Sequence, residues 1–247
     1  MNQEECWLLQ EKYQGVISNA FHTDCRRLRA GEPLGYVIGH VPFLQCIIHL
    51  DSRPLIPRPE TEYWTEKFIT TINHQYPTHI LDICAGSGCS GVAIARAYPS
   101  ASITFAELDQ RHLSTINKNI ACNLPTTTIH HYHVVHTDMF SELTGTFTHI
   151  VCNPPYIDPA LDRTSDSVRR YEPAMALYGG AQGLDVIAKL INSAPHFLEP
   201  GGTLWFEHEP EQTSTITKLV KASSFLTHVT HTDQYQTPRF TVCYMAL

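Results

Sequence analysis

After Pro77 the chain alternates short apolar runs with longer amphipathic stretches, and this alternation restricts the fold more than any other feature. "HILDICA" reads as a buried strand and "SGVAIARAY" as a helix stopped by Pro99. "SITFAEL", "TTIHHYHVVHTD" and "HIVCN" read as further strands, with "RHLSTINKNIACN" a helix between the first two. A long loop runs to about Gly180, followed by the helix "LDVIAKLINSAPHFL", the strand "GGTLWFEHE" and the helix "EQTSTITKLVKASS". "LTHVTHTD" and "RFTVCYMAL" close the chain as an antiparallel pair. Strands separated by helices pair in parallel through right-handed crossovers, so the expected fold is α/β, a doubly wound Rossmann-like sheet with an antiparallel C-terminal strand. Ligands of such sheets bind beyond the carboxyl ends of the strands.

Upstream, residues 3–29 read as one helix with an apolar stripe of Trp7, Leu8, Tyr13, Val16, Ile17 and Phe21, ending at Gly31. "GYVIGHVPFLQCIIHL" reads as two extended runs around Gly39 and Pro42, a β-hairpin. Pro59 opens a helix whose first turn carries Glu60 and Glu62, the sign that end favours. Three parts result: a short helical segment (1–30), a hairpin linker (31–58) and the main α/β domain (59–247).

With 43% hydrophobic and 17% charged residues, the 247-residue chain can bury a full core. A formal charge of −7 argues against a surface that tracks phosphates, so direct DNA binding is not expected. The N-terminal "MNQEECWLLQ" lacks a signal-peptide layout, and no apolar run is long enough for a membrane helix. The 8 cysteines form no Cys-x-x-Cys pair, which suits a reducing, cytoplasmic setting. His131 and His133 would share one strand face, but a solvated face explains them better than a metal site.

Asp82, Cys84, Ala85, Gly86, Ser87 and Gly88 stand where the first strand gives way to a helix, as "DICAGSG". Small residues there let backbone approach a ligand, although an ordinary strand-to-helix turn also wants glycine. No Gly-Lys-Ser/Thr follows, so this is not a phosphate-binding loop. Glu107, ending the second strand, suits the two hydroxyls of a ribose. Asp138 at the third strand's end can accept from an adenine amino group, with Met139 or Phe140 flanking the ring. A nucleoside without phosphates fits. S-adenosylmethionine is one such ligand, leaving S-adenosylhomocysteine; a nicotinamide dinucleotide competes.

The fourth strand runs into "NPPY", Asn153, Pro154, Pro155 and Tyr156. Two prolines cannot extend a sheet, but they can hold a loop stiffly with a carbonyl facing outward. The Asn153 oxygen and the Pro154 carbonyl can each accept one hydrogen of a planar NH2 group. Such a clamp orients a weakly nucleophilic amide or aryl-amine nitrogen and stabilises the positive charge it develops on alkylation. Tyr156 can cover the flat face of that group.

These residues resemble the HemK/PrmC family, the glutamine-N5 methyltransferases of peptide chain release factors. The resemblance runs from about Arg26 to the C-terminus through "RRLRAGEPLGYVIGHVPF", "LIPRPETE", "NPPYI", "EPAMALYGGAQGLD" and "FEHEPEQ". It implies a class I S-adenosylmethionine-dependent methyltransferase fold with no metal, acting as a monomer on a release factor. By this similarity Cys84 to Gly88, Glu107, Met139 and Asn153 contact the cofactor, and Asn153 to Tyr156 hold the substrate Gln of a Gly-Gly-Gln tripeptide. Phe43 and the Arg58 to Thr61 stretch are implied near its methionine end. Cys84 and Glu209 stand where the family usually has Gly, Glu107 where Asp is commoner, and Thr148 where Asp is frequent. The family's helical N-terminal domain is also longer than residues 1–30. Two alternatives remain at this stage: methylation of nucleic-acid amino groups (adenine-N6 or guanine-N2), whose enzymes share Asn-Pro-Pro-Tyr, and a non-catalytic cofactor-binding module.

Overall fold

The computed structural model describes residues 1–72 and 78–247, so Pro77, the start of the α/β pattern, lies outside the described residues. Helix α1 (Gln3–Glu11) starts at a capping box formed by Asn2 and Glu5. It does not continue to residue 29. Gln14 and Gly15 take left-handed backbone (φ 51° and 82°), and Ser18 caps a second helix, α2 (Asn19–Arg29), through the Phe21 N–H. The expected single stripe is therefore split: Leu8, Leu9, Phe21, Cys25 and Leu28 form a small core with Val37, while Trp7, Val16 and Ile17 face solvent.

A short helix, α3 (Leu34–Ile38), occupies what the sequence suggests is the first extended run; Gly39 (φ 101°) ends it. The hairpin follows, with β1 (His40–Phe43) antiparallel to β2 (Cys46–His49). Its Phe43, Cys46 and Ile48 join the main core together with Trp64 and Phe68 of α4 (Pro59–Thr71). Then come β3 (His79–Ile83), α5 (Cys89–Ala97), β4 (Ser102–Glu107), α6 (Leu113–Asn123), β5 (Tyr132–His136) and β6 (Phe147–Cys152). Asn119 of α6 accepts from His49 N at 2.8 Å and donates to His49 O at 3.0 Å, docking the hairpin as a neighbouring strand would.

Two sequence expectations need correction here. Residues 126–131 form a 3₁₀ segment, so the third strand begins only at Tyr132. His131 thus does not share a strand face with His133; its ring meets His130 edge-on instead. The long loop before Gly180 also holds two short helices, α7 (Asp166–Tyr171) and α8 (Ala174–Leu177). The remaining elements are α9 (Asp185–Ser193), β7 (Leu198–Glu207), α10 (Thr213–Lys221), β8 (Thr227–Thr232) and β9 (Pro238–Tyr244).

Among the described residues the main sheet has seven strands in the order β5-β4-β3-β6-β7-β9-β8. Strands β3 to β7 pair in parallel, and β9 runs antiparallel to both β7 and β8. The chain winds outward from β3 to β5, then returns to the other side of β3 as β6. Strand order reverses there, and a crevice opens at the carboxyl ends. The pairing Ile83↔Cys152 puts the first residues after the two strands, Cys84 and Asn153, side by side at that crevice. Apolar layers cover both faces: Val92, Ile94 and Ile116 on one, Ile187, Leu190, Ile216 and Val220 on the other. On the first face α5 approaches closely because residue 91 is glycine; a Cβ there would lie 2.3 Å from the Phe105 ring. No described helix is long and apolar enough to cross a membrane.

Candidate active site

A cavity opens beyond β3, β4, β5 and β6, and most residues singled out in the sequence line it. They are Thr61, Asp82, Cys84, Ala85, Gly86, Ser87, Glu107, Asp138, Met139, Asn153 and Pro155. Gly88 does not; its left-handed backbone (φ 76°) starts α5 and its face packs against Ile116 and Phe105. Phe140 is also turned away, stacked on Phe197 at 4.7 Å in the core, so Met139 alone of that pair reaches the cavity. Phe43 is 1% exposed within the core and lines no part of this cavity.

Glu107 organises the loop after β3. Its Oε2 accepts from Gly86 N at 2.7 Å and its Oε1 from Asp109 N at 2.8 Å. Each oxygen keeps a lone pair for a ligand hydroxyl. Gly86 itself (φ 57°) has nothing within 4 Å of where a Cβ would be, so a ligand can lie directly over its backbone. Cys84 adopts a left-handed φ of 59° without being glycine, with its Sγ 3.9 Å from Met139 Sδ. Asp138 sits exposed at the rim, and no described donor reaches its carboxylate.

Asp82 lies deeper, accepting from Gly91 N at 2.9 Å. Burial pushes its carboxyl up to about 7, against that hydrogen bond; the Glu107 charge adds to the rise. A carboxyl raised on folding binds more protons folded than unfolded, so its contribution to stability is full at low pH and is lost as pH rises through about 7. His149 and His208, buried and held down to about 4, act with the opposite sign between pH 4 and their ordinary range. The expected result is therefore a difference: relative to wild type, Asp82→Asn gains stability from pH 5 to about 7 and levels off above that, read as denaturant midpoints. A pH-independent offset between the two proteins would show that Asp82 does not titrate in this range.

Asn153 follows β6 and forms a common wall of this cavity and a second one lined by Leu55, Arg58, Pro154, Tyr156 and Glu209. Its Nδ2 donates to Thr61 Oγ1 at 3.1 Å, and no described donor reaches its Oδ1. Thr61 in turn donates to Glu207 Oε2 at 2.7 Å. Glu207 also accepts from Trp64 Nε1 at 2.9 Å and, through Oε1, from the Tyr156 hydroxyl at 2.6 Å. It is 1% exposed, and burial raises its carboxyl above the ordinary range while these bonds and Arg239 oppose the rise. Tyr156 thus presents its ring to the second cavity with the hydroxyl anchored behind.

The loop is braced from outside. Gln212 Nε2 donates to the Tyr156 carbonyl at 2.8 Å, and Ile157 exchanges backbone hydrogen bonds with Leu177 and Gly179. Gly179 and Gly183 let this segment close on the loop: added Cβ atoms would lie 2.4 Å from the Pro155 oxygen and 1.9 Å from the Tyr156 oxygen. Buried Glu172 accepts from Ile56 N at 3.0 Å and from Arg58 at 2.7 Å, tying "IPRPETE" to "EPAMALYGG". Glu209 has ordinary extended backbone (φ −74°), so this position needs no glycine. Leu55, His112, Met175 and Lys189 also line the first cavity and were not singled out in the sequence. His112, in "RHL" just past the glutamate strand, was the one with a positional signal. Met175 lies inside "EPAMALYGGAQGLD" without being picked out, and Lys189 arrives from a distant helix whose sequence shows nothing of it.

Residues 60–170 match the methyltransferase small domain family. A release factor glutamine methyltransferase from Francisella tularensis is 34% identical over 201 residues, 81% of this chain and 69% of that protein. A 4-amino-L-phenylalanine/4-methylamino-L-phenylalanine methyltransferase from Streptomyces pristinaespiralis is 30% identical over 219 residues, 87% of this chain and 74% of that one. A methyltransferase structure from Pyrococcus furiosus superposes with a TM-score of 0.62 at 16% identity, covering 91% of this chain and 99% of that one.

A doubly wound sheet with a crevice at its switch point, this domain match and these relatives together define a methyltransferase. More narrowly, the chain belongs to the release factor glutamine methyltransferase family.

Proposed function

We propose that the protein transfers a methyl group from S-adenosylmethionine to the side-chain amide N5 of the Gln in the Gly-Gly-Gln motif of a peptide chain release factor. The observation that carries this reading is the position of Asn153. Its amide stands between the two cavities, with Nδ2 engaged by Thr61 and Oδ1 unengaged by any described donor.

In this reading the first cavity takes the nucleoside. Glu107 receives the ribose hydroxyls, Asp138 the adenine amino group, and Met139 lies along the ring. The loop favours this ligand over a dinucleotide, because the Gly86 amide that would meet a pyrophosphate is already given to Glu107. Family and fold support S-adenosylmethionine, which supplies an electrophilic methyl carbon on a sulfonium. The second cavity admits the glutamine side chain. One amide hydrogen goes to Asn153 Oδ1 and the other to the Pro154 carbonyl, which accepts from no described group. Held so, the nitrogen can pyramidalise toward the first cavity, and both acceptors stabilise the charge it gains. The proton leaves only after alkylation, when the nitrogen is strongly acidic, so water suffices to take it.

The relative that methylates an aromatic amine shares the planar NH2 rather than the glutamine. Clamp geometry therefore supports the chemistry, and the family membership supports the particular substrate. The proposal extends to a cytoplasmic monomer whose partner is a protein, in keeping with a charge of −7 and eight free thiols. The test is transfer of labelled methyl from S-adenosylmethionine to purified release factor. One methyl on the Gly-Gly-Gln glutamine is expected; transfer that persists when that Gln is changed to Ala, or transfer only to DNA or RNA, would refute it.

A further inference from the structure

We propose that Glu207, at the end of β7, is a positioning residue for methyl transfer: acting through the Thr61 hydroxyl, it fixes the Asn153 amide with its oxygen toward the substrate cavity. The inference rests on the reading of Asn153 as one half of the clamp. The two ends of a carboxamide have nearly the same shape, so packing alone does not choose which one faces the substrate. The wrong choice sets an NH2 against the NH2 of the substrate and abolishes acceptance.

Proton direction decides it. A carboxylate only accepts, and Glu207 is met by three donors: Thr61, Trp64 and Tyr156. The indole N–H of Trp64 cannot reverse its role, which favours the ionised form at Oε2. Thr61 has a single hydroxyl hydrogen, and it is spent on Glu207 at 2.7 Å. What Thr61 turns to Asn153 is therefore a lone pair, and only Nδ2 can satisfy it, at 3.1 Å. Oδ1 is left for the substrate. The same carboxylate anchors Tyr156, the other side chain of the loop that walls the second cavity. All of these groups are buried or half-buried, so water does not readily substitute for a missing partner.

Thr61→Val keeps the shape of the side chain and removes the hydroxyl; Thr61→Ser restores the hydroxyl. Each is assayed on purified release factor with labelled S-adenosylmethionine, beside Asn153→Ala as reference, with cofactor affinity by calorimetry and melting temperature read in parallel. Expected is a fall in kcat of about tenfold or more for Thr61→Val, the worth of one oriented hydrogen bond. Because Thr61 also lines the first cavity, kcat is compared at saturating S-adenosylmethionine, and Thr61→Ser returns it to within about threefold of wild type. Glu207→Gln keeps an acceptor oxygen that the Trp64 N–H holds toward Thr61, so it is expected to retain kcat within about tenfold of wild type. A Thr61→Val enzyme that turns over normally while Asn153→Ala is inactive overturns the relay and leaves the clamp standing. A Thr61→Ser enzyme as slow as Thr61→Val overturns it too, because the methyl group rather than the hydroxyl would then matter. Normal turnover by Asn153→Ala would instead bring down the clamp itself.

Discussion

Asn153→Ala is expected to lower turnover on release factor by roughly 10²- to 10³-fold, the usual cost of losing one preorganised partner of a developing charge. The amide nitrogen of glutamine is nearly neutral in the ground state and carries positive charge only as its methyl bond forms. On the proposed clamp Oδ1 then acts most strongly in the transition state, and kcat should fall about as far as kcat/KM for the release factor. Melting temperature should barely move. Asn153 is half-exposed in a loop, its one described side-chain bond is to Thr61, and truncation leaves no buried charge beyond the Glu207 carboxylate, which keeps all three donors. Stability should stay within about 1 kcal/mol of wild type. Parallel losses of stability and activity would mean that Asn153 supports the loop and does not touch the substrate.

Much of this arrangement could be read from the sequence because each of its parts sits at a strand end. A buried strand followed by glycines, a carboxylate at the next strand end and Asn-Pro-Pro-Tyr at another are local patterns, and a doubly wound topology gathers strand ends automatically. What escaped was of two kinds. Glu207 reads as one more residue of "FEHEPEQ"; nothing local says that it is buried behind Tyr156 or that Thr61 and Trp64, over 140 positions earlier, supply its donors. Phe140 and Gly88 went the other way: sequence offers Phe140 as the alternative to Met139 and puts Gly88 in the ligand loop, whereas the core claims the ring and helix packing claims the glycine face. At the N-terminus an apolar stripe suggested one helix, but Gln14, Gly15 and the Ser18 cap carry stronger local instructions than an imperfect 3.6 period.

The glycines of "YGGAQG" show how a sequence signature far from the chemistry can govern it, and Gly183 gives the sharpest test. Its backbone is left-handed (φ 68°), and an added Cβ would sit 1.9 Å from the Tyr156 carbonyl oxygen and 2.6 Å from Gln212 Nε2. A non-glycine residue in that conformation costs about 1 to 2 kcal/mol before any collision. The collision cannot be relieved by swinging a flexible side chain, since the obstacle is backbone. Either the Ala181–Leu184 turn withdraws, breaking the Gln212 bonds to Tyr156, Gln182 and Gly183, or the Pro155–Tyr156 backbone shifts into the cavities. Gly183→Ala is thus expected to lose about 3 kcal/mol, a drop in melting temperature of roughly 6–12 °C for a chain of this size. Turnover should fall at least tenfold even at temperatures where the protein stays folded, because clamp geometry tolerates little displacement. Cofactor affinity should suffer less, as Glu107 and the Gly86 loop lie on the far side of β3 from this contact. A Gly183→Ala protein that melts within a degree or two of wild type and methylates normally would mean that the brace does not hold the loop where substrate needs it.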